Sequence, residues 1–302
     1  MDGKPGRITA LIDAWGAAPE NSARTVLVTI FGDTLMPVSR EIWLAQLFQL
    51  TEVLGFSERL VRTSVFRLAA DGWLHNERVG RQSRYTLTDV ACKETSDAGR
   101  RIYHDVHADW SGPWSVAFLD APSVSEEDRE RLDQRLRWHG FMSIAPGVLA
   151  APTISPSRCR ELCEQHAAKS WVPTSTLSFD DLNAMVSKGF FDAALALDEI
   201  GNTYAGLVDL YGDLAGQTMS IDGPQAFALR TMLVHDLRRI RLRSVDLPTD
   251  LLPGDWPGAE ASRLATRLYH ELSIEAAPWL SDVLDVNYPK RLLDRLDTAP
   301  DQ

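Results

Sequence analysis

The stretch that decides the fold runs from Gly55 to Leu87 and reads GFSERLVRTSVFRLAADGWLHNERVGRQSRYTL. Its first half carries apolar residues that fall on one face of an α-helix, namely Val61, Val65 and Leu68. A serine hydroxyl at an N-cap accepts a backbone N–H, so Ser57 is expected to begin this helix. The pattern therefore predicts a helix from Ser57 to Asp71, ended by Gly72.

A β-hairpin is predicted directly after this helix. Residues 73–78 and 82–87 are expected to be its strands, and Val79-Gly80-Arg81 separates them. Glycine accepts the positive φ that a tight hairpin turn needs. A helix followed at once by a hairpin with a basic tip is typical of a winged helix-turn-helix, so we expect three helices and a wing.

The charges of this stretch differ from those of the whole chain. Between Ser57 and Leu87 there are six arginines and three acidic residues, although the formal net charge of the chain is −11. Arginine makes bidentate contacts with phosphate and guanine, so the pattern favours nucleic-acid binding. Two alternatives stay open: an ordinary solvated basic face, and a winged helix that docks a protein.

Three runs carry a resemblance to a known family: VRTSVFRL at residues 61–68, DGWL at 71–74 and RVGRQSRYTLT at 78–88. They resemble the PaaX family, whose members are bacterial repressors of phenylacetic acid degradation operons. The runs span both the helix and the wing, and are therefore far more specific than a helix-turn-helix pattern alone. The resemblance extends over nearly the whole chain from Ser22 onward.

The helix and the wing supply the predicted DNA contacts. Arg59, Arg62 and Thr63 face away from the apolar side of the helix and are expected to enter the major groove. Phe66 shares this outward side, or packs on a neighbouring helix instead. Arg81 and Arg84 are expected to contact the DNA backbone or the minor groove. The full predicted set is Ser57, Arg59, Arg62, Thr63, Phe66, Arg78, Arg81, Ser83 and Arg84.

Length and composition indicate more than one domain. The chain has 302 residues, of which 44% are hydrophobic, which is more than one core usually serves. We predict a winged helix-turn-helix domain with a lead-in over residues 1–104, a ferredoxin-like middle domain over 105–180, and a helical effector and dimerisation domain over 181–302. The chain has no signal-peptide pattern, no membrane-spanning apolar run and three cysteines, which favours a cytoplasmic location.

The segments beside the deciding stretch give weaker patterns. Residues 1 to about 21 form a lead-in of uncertain order. A first helix is predicted over residues 23–31 and ended by Gly32, and Pro37 is placed near the start of a second helix. Residues 89–109 are interpreted as a charged, solvated connector. A metal site is the alternative there, with the residues His104, Asp105, His107 and Asp109.

The sequence of the middle region predicts strands and helices in the order strand-helix-strand-strand-helix-strand. This is the order of the ferredoxin-like fold. The residues of the middle region also resemble the family's middle domain, which is similar in fold to the Cas2 nucleases. That resemblance implies a metal-binding carboxylate at the end of the first strand, where Asp120 lies. A metal-dependent nuclease is therefore the alternative function, although such an aspartate is commonly a turn residue.

Cys159, Cys163 and His166 lie at helical spacing on the second predicted helix of the middle region. Zinc binding is one hypothesis, but a fourth ligand is not evident. Cysteine is often buried as a small hydrophobe, so core packing is favoured.

The C-terminal region combines an acidic segment with a basic helix. Residues 180–213 are strongly acidic, and a helix predicted over 225–242 is rich in arginine. Salt bridges to the acidic segment are one explanation; the other is contact with the phosphates of an anionic effector. The predicted ligand-binding residues are Arg230, Arg238, Arg239, Arg241 and Trp256. Two further helices are predicted over 259–272 and about 276–296.

Motifs of the common enzyme classes are missing from the sequence, including Gly-rich phosphate loops, G-x-S-x-G and H-E-x-x-H. We expect no enzyme activity, no cofactor, no bound metal and no membrane association. We expect a homodimer, and a two-fold dimer should prefer an inverted-repeat operator in double-stranded DNA. The family resemblance implies release by phenylacetyl-CoA or a related acyl-CoA thioester. We expect this ligand to bind between the middle and C-terminal domains.

Overall fold

The computed structural model describes residues 4–103, 113–187, 189, 196–215, 221–245, 247 and 249–289. The chain divides into two compact units. The first combines residues 1–104, 207–237 and 262–302, and the second combines 105–206 and 238–261. The three-domain division of the sequence stays a prediction.

The first unit begins with two helices, α1 (Lys4–Ala17) and α2 (Ala23–Thr29). Ser22 caps α2, because its side chain accepts the backbone N–H of Thr25. The predicted end at Gly32 is wrong, since the chain continues as a π-helical turn over Ile30–Leu35. Most side chains of this turn are buried, so packing of the turn decides where the helix stops.

A short strand, β1 (Glu41–Trp43), precedes the next helix, α3 (Leu44–Glu52). The predicted helix start near Pro37 is therefore wrong, because Pro37 lies in a turn. β1 pairs antiparallel with the second strand of the wing, and Ile42 lies opposite Tyr85.

The predicted helix and hairpin are both confirmed. α4 spans Glu58–Ala70, and the wing consists of β2 (Leu74–Val79) and β3 (Gln82–Leu87). The three strands form one sheet in the order β1-β3-β2. Gly72 after α4 and Gly80 in the wing have φ values of +73° and +62°, a region that glycine enters at little cost.

Residues 89–103 form a helix, α5 (Asp89–Tyr103), so the prediction of a solvated connector is wrong for them. The helix ends on three buried residues, Arg101, Ile102 and Tyr103, which tie it to the first unit. The alternative metal residues between His104 and Asp109 lie outside the described residues.

A buried polar cluster surrounds Asp33 inside the first unit. Its Oδ1 accepts hydroxyl hydrogen bonds from Tyr103 at 2.7 Å and Tyr269 at 2.8 Å. Its Oδ2 pairs with Arg230 Nε at 3.2 Å, and Arg230 also donates to the Tyr288 hydroxyl at 3.2 Å. These bonds connect the π-helical turn of the winged helix with α5 and with two later helices.

The second unit contains a four-stranded sheet: β4 (Trp114–Phe118), β5 (Met142–Ala145), β6 (Val148–Ala151) and β7 (Thr174–Leu177). Two helices connect its strands, α6 (Glu126–Trp138) and α7 (Pro156–His166). The strand order is β5-β6-β4-β7 and every neighbouring pair is antiparallel. This arrangement confirms the ferredoxin-like fold of the middle region.

After the sheet, the described part of the chain contains four more α-helices: α8 (Phe179–Ser187), α9 (Leu197–Tyr211), α10 (Gly223–Arg241) and α11 (Gly258–Leu284). The predicted break near residue 273 is wrong, because α11 is continuous and contains Pro278. Among the described residues, no helix combines the length and apolar character that a bilayer crossing needs.

Candidate nucleic-acid interface

The side of α4 opposite its buried face is exposed to solvent. Arg59, Arg62, Thr63 and Phe66 all lie on this side, as their spacing predicts. The alternative that Phe66 packs on a neighbouring helix is wrong, because its side chain is 71% exposed. Ser57 occupies the N-cap position, but its side chain makes no capping hydrogen bond with α4.

Two of these residues have local partners. Arg62 pairs with Glu58 at 3.3 Å, and its guanidinium lies 4.6 Å from the centroid of the Phe48 ring. The Thr63 hydroxyl donates to the backbone carbonyl of Arg59 at 3.0 Å. The Arg59 side chain is exposed, and within the part of the chain that the structure describes it forms no salt bridge. Arg59 is therefore the most available cation on this face.

The tip of the wing presents a second exposed cation. Arg81 follows Gly80 in the hairpin turn and is exposed, without a salt bridge to any described residue. Arg78 Nε donates to the Gly80 carbonyl at 3.4 Å, and Arg78 pairs with Ser83 across the hairpin. The turn therefore leaves Arg81 accessible to a phosphate.

Arg84 is held within the sheet of the winged helix. Its guanidinium bonds to Glu77 at 2.5 Å and Glu41 at 3.2 Å, and it lies over the Trp43 ring. The hydrogen bond to Glu77 and the charge of Glu41 raise the pKa of Arg84, while the same hydrogen bond lowers the pKa of Glu77. This placement differs from the prediction of a DNA contact, because Arg84 joins all three strands of the sheet.

The predicted ligand-binding residues do not form one group. Arg230 lies in the first unit, and the others lie in the second. Arg230 is fully buried and paired with Asp33, so the structure contradicts the prediction that it contacts a phosphate. Arg241 is also buried, whereas Arg238 and Arg239 are half-buried. Trp256 packs beside Gly201, and its ring centroid lies 5.8 Å from that of Tyr204.

Asp120, the described residue considered for a nuclease metal, lies outside any ligand set that the described residues form. Asp120 is half exposed, and its carboxylate lies 3.8 Å from Arg129 Nε. Among the described residues, no group of three or more His, Cys, Asp or Glu side chains could hold a metal ion. The structure therefore adds no support for a nuclease.

Cys159 and Cys163 belong to the hydrophobic core between α6, α7 and the sheet. Hydrogen bonding with Cys159 and burial raise the pKa of the Cys163 thiol. A protonated, buried thiol packs as a small apolar group, which agrees with the core interpretation.

Three family models match the chain in succession. The PaaX-like protein model matches residues 22–91, the PaaX protein central Cas2-like domain matches 107–185, and the PaaX-like protein C-terminal domain matches 195–282. The chain belongs to the PaaX family. The first match contains all of α4 and the wing, so the candidate interface lies within a segment that the PaaX family shares.

One curated relative of this chain is a transcriptional repressor. The transcriptional repressor PaaX of Escherichia coli (strain K12) is 29% identical over 270 residues, which cover 86% of this chain and 84% of the relative. Its similarity supports a repressor role with DNA binding, and it favours a regulator over an enzyme. A solved structure, an uncharacterized protein from Mycobacterium tuberculosis, is 22% identical with a TM-score of 0.46, over 87% of this chain and 97% of that one.

Sequence patterns found the exposed residues of the interface but missed their partners. The Glu58–Arg62 pair at four-residue spacing has a local signal. The contacts of Phe48 with Arg62 and of Glu41 with Arg84 have no local sequence signal. Phe48 lies on α3 and Glu41 on β1, and only the tertiary fold brings them to α4 and the wing.

Proposed function

We propose that this PaaX family protein is a homodimeric repressor of a phenylacetate catabolic operon. It binds an inverted-repeat operator in double-stranded DNA and is released by phenylacetyl-CoA or a related acyl-CoA thioester. One observation carries the DNA half of the proposal: Arg59 on α4 and Arg81 on the wing are exposed cations, without described salt-bridge partners, in a chain of net charge −11.

The two elements take different parts of the duplex in this proposal. α4 enters the major groove, with Arg59, Thr63 and Phe66 facing the base edges and Arg62 beside them. The wing lies along the sugar-phosphate backbone, and Arg81 at its tip contacts a phosphate. Ser57, Arg78 and Ser83 lie at the edges of the proposed DNA-binding surface. Arg84 stabilises the wing through its bonds to Glu41 and Glu77.

The DNA half is tested by the salt dependence of binding. Fluorescence anisotropy of a labelled duplex from the promoter upstream of the protein's own gene gives the dissociation constant at several salt concentrations. Arg81→Ala is expected to weaken binding to all duplexes and to reduce the salt slope by about 1, because one phosphate contact is lost. Arg84→Gln is expected to leave the slope unchanged, because its partners are carboxylates of the protein.

Arg137→Ala is the control for the loss of one surface cation, since Arg137 pairs with Asp133 on α6. It is expected to leave both the affinity and the slope unchanged. A wild-type slope in Arg81→Ala would contradict the placement of the wing on phosphate. Salt-independent binding by the wild type would favour a protein-docking winged helix.

The effector half follows from the thermodynamics of a repressor. A ligand releases DNA only if it binds the DNA-free conformation more tightly than the bound one. Of the predicted ligand residues, the half-buried Arg238 and Arg239 remain the candidates for CoA phosphates, with Trp256 as an aromatic contact in the same unit. Arg230 is excluded from this set by its burial.

Titration calorimetry tests the effector with three ligands: phenylacetyl-CoA, free phenylacetate and CoA. The thioester is expected to bind most tightly and to release the promoter duplex in the anisotropy experiment. Equal binding of all three ligands would contradict a thioester sensor and would leave the DNA half standing.

A further inference from the structure

The outward face of α4 carries an exposed phenyl ring, that of Phe66. At 100° per residue, Arg59 lies closest to the direction opposite the buried residues of the helix, Thr63 and Phe66 lie on either side of it, and Leu60 lies at the flank. Phe66 is 71% exposed, whereas Leu60 is 53% exposed. A helix docked on DNA by this face therefore turns the Phe66 ring toward the groove.

The polar atoms beside Phe66 are partly occupied within the protein. The Thr63 hydroxyl donates to the Arg59 carbonyl, which leaves its methyl group as the part of the side chain without a bond. The Arg62 guanidinium forms a salt bridge with Glu58 and lies over the Phe48 ring. A phenyl ring and a methyl group therefore lie on this face, on either side of Arg59.

Major-groove edges offer one apolar partner to such groups. The C5-methyl of thymine is contacted by threonine methyl groups and by phenylalanine, whereas the other positions present donors and acceptors. A protein partner would also accept an exposed phenyl ring, but the neighbouring Arg59 and Arg67 are exposed cations that suit the phosphates lining the groove.

We propose that Phe66, together with the Thr63 methyl group, determines operator specificity by reading thymine C5-methyl groups in the major groove. This inference rests on the proposed function, because it requires α4 to lie in that groove. It adds a sequence requirement: each half-site contains a thymine opposite Phe66, and the discrimination depends on a methyl group rather than a hydrogen bond.

Uracil tests this inference, because it differs from thymine only by the missing methyl group. Duplexes of 30 bp are selected by the wild-type protein from a random pool and resynthesised by PCR with either dTTP or dUTP. Anisotropy at one salt concentration then compares the two affinities. The wild type is expected to bind the uracil duplexes about fourfold more weakly for each methyl group contacted.

Three variants identify the residues that sense the methyl group. Phe66→Ala is expected to bind thymine and uracil duplexes nearly equally. Thr63→Ser removes only a methyl group and keeps the hydroxyl that bonds to Arg59, so it is expected to lose part of the discrimination. Leu60→Ala, an exposed apolar residue at the flank of the same helix, is expected to keep the wild-type ratio. Circular dichroism checks that each variant is folded.

Each contrary result has a separate meaning. Equal wild-type affinity for thymine and uracil duplexes, with a normal salt slope, overturns the inference and leaves the proposed function intact. Discrimination that persists in Phe66→Ala, accompanied by a changed oligomeric state in sedimentation, assigns Phe66 to a protein contact and also overturns it. Salt-independent binding of every duplex overturns both.

Discussion

At the scale of single residues, the Asp33–Arg230 pair should dominate the stability of the first unit. Both side chains are buried, and burial alone would lower the pKa of Arg230, but Tyr288 and Asp33 raise it overall, so Arg230 stays charged. Arg230→Met leaves the Asp33 carboxylate buried without its cation, and removal of one partner of such a pair costs about 3–5 kcal/mol. Urea unfolding at pH 7 measures this loss.

The exposed Arg243 near the end of α10 provides the matched control. Arg243→Met is expected to change the free energy of unfolding by less than about 0.5 kcal/mol. An Arg230→Met variant as stable as this control would show that the cluster around Asp33 adds no net stability.

Asp128 is expected to make the second unit sensitive to acid. Its carboxylate accepts hydrogen bonds from the Ser170 hydroxyl and from the backbone N–H groups of Ala168 and Lys169. These bonds, Ser170 first, lower the pKa of Asp128. A depressed folded pKa stabilises the protein above the unfolded value of about 3.9 and loses this effect as pH falls below it.

Asp128→Asn is therefore expected to lower the melting temperature at pH 7, while its difference from the wild type shrinks below about pH 4. Thermal melts of both proteins from pH 7 to pH 3 measure this convergence. Glu127→Gln is the control, because Glu127 is exposed on the same helix and pairs with Arg131. If the difference in melting temperature between Asp128→Asn and the wild type were the same at every pH, the charge of Asp128 would not be the source of the stabilisation.

Residues whose roles follow from local spacing could be predicted from the sequence. Arg59 and Phe66 are examples, because helical periodicity alone turns them away from Val61 and Val65. The pairing of Arg230 could not be predicted, since its partner Asp33 lies 197 positions earlier in the chain. From the local sequence of α10 alone, a fully buried arginine cannot be distinguished from an arginine that binds a phosphate.

At the scale of elements, the packing of α1 on the end of α3 depends on Gly16. A Cβ at this position would overlap the backbone carbonyl of Leu54, which cannot rotate away as a side chain would. Gly16→Ala is expected to destabilise the protein by about 1–3 kcal/mol, the usual cost of overpacking. Thermal melts of the full chain measure the change.

Gly6 on the same helix is the matched control, because a Cβ there meets nothing within 4 Å. Gly6→Ala is expected to stabilise the protein by about 0.5–1 kcal/mol, since alanine loses less conformational freedom in a helix. Equal effects of the two substitutions would mean that α1 does not pack closely on Leu54.

Elements with local start and stop signals were predicted well. α4 begins after Ser57 and ends before Gly72, and Gly80 sets the turn of the wing. β1 was missed because it is three residues long and is stabilised by pairing with β3, more than 40 residues later. The continuous α11 was missed because the sequence was divided into two helices near residue 273, whereas one helix runs from Gly258 to Leu284.

At the scale of the whole molecule, charge should orient the protein on DNA. Most of a chain with net charge −11 is repelled by phosphate, so close approach is favourable where α4 and the wing present Arg59 and Arg81. The composition alone would have argued against nucleic-acid binding, and the local excess of arginine between Ser57 and Leu87 gives the opposite indication. This contrast predicts weak non-specific binding and a strong dependence on paired half-sites.

The spacing of those half-sites tests the proposed homodimer. Two winged helices related by a two-fold axis reach half-sites about 10 bp apart, or a multiple of that distance, on one side of the duplex.

Inserting 5 bp between the half-sites of a footprinted operator turns one of them to the opposite side. The second contact is then lost, and affinity is expected to fall by about a hundredfold, the usual gain from bivalent binding. Inserting 10 bp is expected to restore part of the affinity, as measured by anisotropy on the three duplexes. If the 5-bp insertion leaves the affinity unchanged, each winged helix binds independently and the homodimer has no role in recognising the operator.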